Sequence, residues 1–231
     1  MAWFLARPRA VFGGNTSMNR LGKLVILGTL VFLPAGAGHL SARQEDGWVS
    51  LFDGSTLSGW TKGGGNADSK WDVVDGVIVG SGKASMLYSP KGDYKNFRFK
   101  AEVKINDHGN SGLYFRSPTN GGNFSDGYEA QIDSTHRDPI RTGSIYGFMH
   151  IYKQLVPPDT WFTYEVECID RDWRGLKVPH IRVWVNGELL FQLIERTKAW
   201  EKGYFAFQQH DPGSKIEIRK IEVKELNEAG R

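Results

Sequence analysis

The 231-residue chain is 40% hydrophobic and 13% aromatic, enough apolar material for one sizeable core and unlike a disordered or low-complexity polypeptide. Its formal charge of +3 comes from the first 42 residues, which hold Arg7, Arg9, Arg20 and Lys23 and no acid; the remainder carries 25 basic against 26 acidic residues. That balance argues against nucleic acid or an anionic membrane as partner, and a single cysteine, Cys168, excludes an intramolecular disulfide.

The basic start is followed by the apolar run "LVILGTLVFLPAGAG", Leu24 to Gly38, the layout of a secretory signal peptide. Residues 1–42 are therefore expected to be a leader cleaved after Ala37 or Ala42, with Met18 as an alternative start, and residues 43–231 a single exported domain, periplasmic or secreted. The run breaks at Pro34, short of the roughly 20 apolar residues of a membrane span. An uncleaved anchor is the competing reading.

From Trp71 onward, segments of period-two alternation follow one another between Gly, Asn, Asp and Pro. They are "WDVVDGVIVG", "FRFKAEVKI" from Phe97, "SGLYFRS" from Ser111, "GYEAQID" from Gly127, "TGSIYGF" from Thr142, "WFTYEVECID" from Trp161, "HIRVWVNGELLFQLI" from His180, "GYFAFQQH" from Gly203 and "KIEIRKIEVKEL" from Lys215. Asp75-Gly76 and Asn186-Gly187 suit two-residue hairpin turns, because both positions of such turns need positive φ. In the last segment Ile216 and Ile218 are out of phase with Ile221 and Val223, which predicts a bulge at Arg219 and Lys220. Only "RTKAWEKG" from Arg196 has the makings of a short helix. The pattern is all-β, two sheets face to face or a closed barrel, with Phe97, Phe99, Leu113, Phe115, Ile132, Val166, Val183, Phe205 and Phe207 on the core faces and Cys168 buried among them as a small apolar residue.

No Gly-rich phosphate loop, CxxC, HExxH or GxSxG is present, which removes nucleotide, zinc-protease and serine-hydrolase readings. What stands out is polar side chains in phase on three strands: Tyr114 with Arg116; Glu129, Gln131 and Asp133; Gln208 with His210. On one sheet they would line a groove. Taken alone, each row could equally be a solvated face, Arg116 a structural partner of Glu129 or Asp133, and His210 a surface residue.

In order, the blocks "WVSLFDGSTLSGW", "GNSGLYFRS", "GYEAQID", "TGSIYG", "VNGE" and "FAFQQHDPGSKIEIRKIEV" resemble the 3-keto-disaccharide hydrolase domain family over about Gly47 to Leu226. The resemblance implies a concanavalin A-like lectin/glucanase sandwich (a two-sheet jelly roll) and a carbohydrate-active enzyme that hydrolyses 3-keto-glycosides or eliminates across their C1 and C2, with a small carbohydrate as partner. A 3-keto group acidifies the C2 proton, so such a site needs a base, a donor for the enolate oxygen and an acid for the leaving group. Carried over by position, Glu129, Asp133 and His210 are the proton-transfer candidates and Arg116 the oxyanion partner, with Tyr114, Gln131, Tyr146 and Gln208 as substrate-binding residues.

Glu129 and Asp133 lie four residues apart on one strand, about 13 Å between Cα atoms, which disfavours the paired carboxylates of an ordinary retaining glycosidase. The residues single out no cofactor, and a divalent metal ion could be bound if Glu129, Asp133 and a histidine converge. Phe162 departs from the family pattern, which tends to a polar residue there. The alternative function is a non-catalytic, lectin-like carbohydrate-binding module of the cell envelope, since fold alone does not fix function.

Overall fold

A computed structural model describes residues 47–227 apart from Asn66, together with Ala229. The leader expected at residues 1–42 lies outside them. The described residues form thirteen strands: β1 (Val49–Ser50), β2 (Thr61–Gly63), β3 (Ser69–Val74), β4 (Val77–Gly82), β5 (Ser85–Tyr88), β6 (Phe97–Ile105), β7 (Asn110–Ser117), β8 (Tyr128–Asp133), β9 (Phe162–Trp173), β10 (Leu176–Val185), β11 (Glu188–Ile194), β12 (Tyr204–Gln209) and β13 (Ile216–Glu225). One sheet runs β11-β10-β9-β6-β13-β4-β3, with β1 also on β13; the other runs β2-β5-β12-β7-β8. Every ladder is antiparallel. No helix among the described residues is long and apolar enough to cross a membrane.

Alternation decides which residues face inward. All nine expected core residues are buried in one apolar cluster between the sheets. Phe205 packs at 4.6 Å from Phe97 and 4.4 Å from Phe99, centroid to centroid, within the range of favourable aromatic pairs. Burying each such ring is worth about 1.5–3 kcal/mol relative to leaving it exposed. Cys168 lies in the same cluster, and burial pushes its thiol up to about 12, so it stays protonated. Phe162 is buried there too, paired with Val103, and does not reach the cavity described below.

The turns follow the sequence closely. Asp75 and Gly76 have φ of 50° and 78°, and Asn186 and Gly187 52° and 80°, the positive pair a tight hairpin needs. The β13 register slips between Arg219 and Glu222 with Lys220 at φ 51°, so the expected bulge is present.

Two elements differ from expectation. The segment from Thr142 is not a strand, because Gly143 and Gly147 (φ 97° and 77°) break its extension. It lies along β8 as an irregular strap instead: Gln131 N donates to Ser144 O, Gly143 N to Gln131 O, Tyr146 N to Glu129 O and Thr142 N to Asp133 O. The candidate helix from Arg196 is a bend, held by Glu195, whose carboxylate accepts from the Thr197 and Ala199 amides and from the Tyr128 hydroxyl at 2.6 Å. That bend sets Trp200 edge-on against Tyr128 at 4.8 Å.

Candidate functional site

The face of the β5-β12-β7-β8 sheet turned away from the core carries a cavity of about 400 Å³, within the range of small-ligand sites. Three in-phase strands floor it: Asn110 and Tyr114 from β7, Glu129 and Gln131 from β8, and Gln208 from β12, continued by His210. Its walls come from irregular segments, which supply Phe124, Asp138, Tyr146, Phe148 and Trp200.

Glu129 stands opposite Tyr114 across the β7-β8 ladder and lies over Gly112. A Cβ added at Gly112 would come 2.3 Å from Glu129 Oε1, so only glycine leaves the carboxylate where it is. Burial pushes the Glu129 carboxyl up to about 8; the Tyr114 hydroxyl opposes the shift and the Asp138 charge adds to it. Tyr114 is raised above its ordinary value by burial and by Glu129. We expect Gly112→Ala to displace the Glu129 side chain and lower activity at least about tenfold with little change in melting temperature, since the group that must move is a flexible side chain rather than backbone; activity and thermal melts of one preparation check this.

Around the carboxylate lies an amide network. Gln208 Nε2 donates to Tyr114 Oη at 3.0 Å, Tyr114 Oη donates to Phe124 O at 3.0 Å, and Gln131 Nε2 donates to Asn110 Oδ1 at 3.0 Å. Gln131 Oε1 and Gln208 Oε1 are buried and accept no hydrogen bond from the protein. Both residues line the cavity, so solvent or a bound molecule can donate to these oxygens.

His210 stacks on Phe124 at 6.0 Å and meets His136 edge-on at 5.8 Å. Asp211 lies between the two histidines, its Oδ2 3.6 Å from His210 Nδ1 and 3.5 Å from His136 Nε2. Burial pushes the Asp211 carboxyl up, but the Ser214 hydroxyl and the two histidines outweigh it and hold the group below its usual range.

The structure thus gathers Tyr114, Glu129, Gln131, Tyr146, Gln208 and His210 in one cavity. Two expected residues are not there. Arg116 is fully buried at φ 53°, where the β7-β12 register slips, and its side chain leaves the groove face. Its guanidinium donates to Lys95 O and Trp200 O and meets Asp170 of the opposite sheet at 2.9 Å, so it is not available to a substrate oxyanion.

Asp133 is likewise buried and outside the cavity. Its Oδ1 accepts from His136 N and Arg141 Nη1, both at 3.0 Å, anchoring the loop that brings Asp138 to the cavity. Burial nevertheless raises its pKa, against the pull of those partners. Glu129 and Asp133 do not converge, and among the described residues no group of three or more His, Cys, Asp or Glu side chains could hold a metal.

Asp138, Phe124, Phe148 and Trp200 were not anticipated, because loop residues carry no periodic signal. Asn110 could have been found: it is in phase with Tyr114 and belongs to the "GNSGLYFRS" block.

The fold and parts of the sequence recur in known proteins. A crystal structure of a candidate glycosyl hydrolase from Parabacteroides distasonis superposes with a TM-score of 0.64 at 28% identity, covering 78% of this chain and 94% of that one. The carbohydrate-binding module CBM66 of Bacillus subtilis shares the fold alone, with a TM-score of 0.52 at 16% identity over 72% of this chain and 95% of the module. A 3-keto-disaccharide hydrolase of Bacteroides thetaiotaomicron is 36% identical over 81 residues, a match spanning 31% of this chain and only 28% of that protein. Residues 47–224, nearly the whole sandwich, match the model of the 3-keto-alpha-glucoside-1,2-lyase-like domain, and the chain belongs to that family.

Proposed function

We propose that this chain is a carbohydrate-active enzyme, exported by its leader, that cleaves the glycosidic bond of a 3-keto-glycoside with Glu129 as the base. The observation that carries the reading is a half-buried carboxylate, its pKa raised to about 8 by desolvation, on the floor of a cavity that Gln131 and Gln208 also line. A base removing a weakly acidic C–H works best when its own pKa is near the working pH, and an ordinary surface glutamate is too weak for that.

In the elimination, Glu129 takes the C2 proton and the electron pair passes to the C3 oxygen as an enolate. The pair then returns to form the C1=C2 bond of an enone as the C1–O bond breaks, and the leaving oxygen takes a proton from His210. Hydrolysis is the net outcome if water later adds to that enone. The amide N–H groups of Asn110 and Gln131, which line the cavity floor, donate to the enolate oxygen, the role expected of Arg116. Gln131 Oε1 and Gln208 Oε1 accept from ring hydroxyls, and Phe124, Phe148 and Trp200 supply the apolar walls that sugar rings pack against. The names of the Bacteroides thetaiotaomicron relative and the Parabacteroides distasonis structure support the same class of chemistry.

The test is to incubate the mature domain with a 3-keto-disaccharide and with the same disaccharide unoxidised, following release of the leaving sugar. Turnover of the first and at most a trace of the second is expected. Binding of either without release would sink the enzyme reading in favour of a carbohydrate-binding module.

A further inference from the structure

One feature at the cavity mouth has no part in that chemistry. Tyr146 lines the cavity yet is 42% exposed; His150 follows it into solvent, and Tyr152 is 64% exposed. The three rings step outward at nearly equal spacing, 6.1 Å from Tyr146 to His150 and 6.0 Å from His150 to Tyr152. Exposed aromatics are ordinarily scattered, and three in consecutive contact leading out of a cavity are a surface rather than chance exposure.

The row is fixed in place. Tyr146 Oη donates to Asp138 Oδ2 at 3.1 Å. Gly147 N donates to His150 Nε2 at 3.1 Å, which makes that nitrogen the acceptor and leaves the proton on Nδ1. In that tautomer Nδ1 donates to Tyr152 Oη at 3.3 Å. The backbone beneath is pinned as well: Ile151 N donates to Ser144 Oγ at 2.8 Å and Arg141 N to Ile151 O at 2.8 Å. His150 is tilted 49° to Tyr146 and Tyr152 meets His150 edge-on at 84°, so the rings make a corner rather than a flat platform, each offering its own face to the C–H surface of a sugar and its polar tip to the rim.

We infer that Tyr146, His150 and Tyr152 form a subsite for the leaving group, taking the second pyranose ring of a disaccharide substrate. The inference rests on the proposed reaction for the direction in which the substrate lies. The 3-keto ring must place C2 against Glu129 on the cavity floor, so its C1 substituent is the part that runs out over Tyr146. The row also commits the site to a cyclic leaving group, because a small alcohol would leave His150 and Tyr152 uncovered.

The subsite can be measured without turnover in the Glu129→Gln background, by calorimetric titration with a 3-keto-disaccharide and with the methyl glycoside of the same 3-keto-sugar. Tyr152→Ala and His150→Ala should weaken the disaccharide at least about fivefold more than the methyl glycoside, and Tyr152→Phe should keep most of the difference, as stacking on the ring face requires. Equal weakening of both ligands, no effect on either, or no binding of the disaccharide to the Glu129→Gln parent overturns the subsite. Failure of the proposed reaction reads out separately, as absence of release by the unsubstituted protein from either compound.

Discussion

Glu129→Gln should lower turnover of a 3-keto-disaccharide by about 10²–10⁴-fold while the protein folds normally, since a positioned general base contributes a factor of that size and glutamine keeps the shape without the basicity. Two pH measurements tie the loss to the carboxylate itself. On its acid limb, kcat/KM of the unsubstituted enzyme should rise with pH towards about 8 as Glu129 ionises, and that rise should be missing in the variant.

Stability should move the opposite way. A carboxyl whose folded-state pKa is raised binds its proton more tightly folded than unfolded, so its contribution is fully present below the usual carboxylate range and is lost as pH climbs to about 8. Glu129→Gln escapes that loss. It should melt a few degrees above the unsubstituted protein near pH 9 and close to it near pH 4. A variant that keeps its activity, or that melts lower at both pH values, would show that Glu129 is a structural residue.

Arg116→Met should cost about 3–5 kcal/mol of folding stability, because it leaves Asp170 charged, 2% exposed at its side chain and without its guanidinium partner at 2.9 Å. Lys95 Nζ, 3.6 Å from Asp170 Oδ2, is itself 41% exposed and a weaker substitute. Adding Asp170→Leu to Arg116→Met should recover most of the loss, since an apolar pair of similar volume often serves a buried site as well as an ion pair does. Denaturant unfolding of the two single variants and the double variant checks this. Additive losses would mean that Arg116 acts through the Lys95 and Trp200 carbonyls instead.

Arg116 also marks where reading by alternation stops. From Asn110 to Phe115 the period of two assigns each face correctly, and Leu113, Phe115, Phe205 and Phe207 are core residues for that reason. At Arg116 the backbone turns to positive φ, and a residue in phase with Tyr114 goes to the buried side. Nothing in its neighbours signals this, unlike Arg219 and Lys220, where a phase slip between isoleucines exposed the bulge.

Asp133 was misplaced for a different reason. It is in phase with Glu129 and Gln131, but the loop from His136 to Arg141 folds over it, and that closure depends on hydrogen bonds from residues with no periodicity. The floor of the site is therefore legible strand by strand, while its loop walls become visible only in three dimensions.

The irregular strap along β8 sets limits on how this site can change. β8 ends its sheet, and an uncovered outer strand is a template on which another chain can add a strand of its own. Main-chain bonds from Thr142, Gly143, Ser144 and Tyr146 occupy that edge, and they depend on the spacing of the segment far more than on its side chains. Substitutions at Tyr146 or Phe148 can therefore reshape the cavity wall and shift which sugars fit, with no penalty in self-association. Insertions or deletions between Thr142 and Tyr146 have no such freedom: they would slip the strap off the edge, and variants of that kind should be lost to aggregation before any new specificity could be selected.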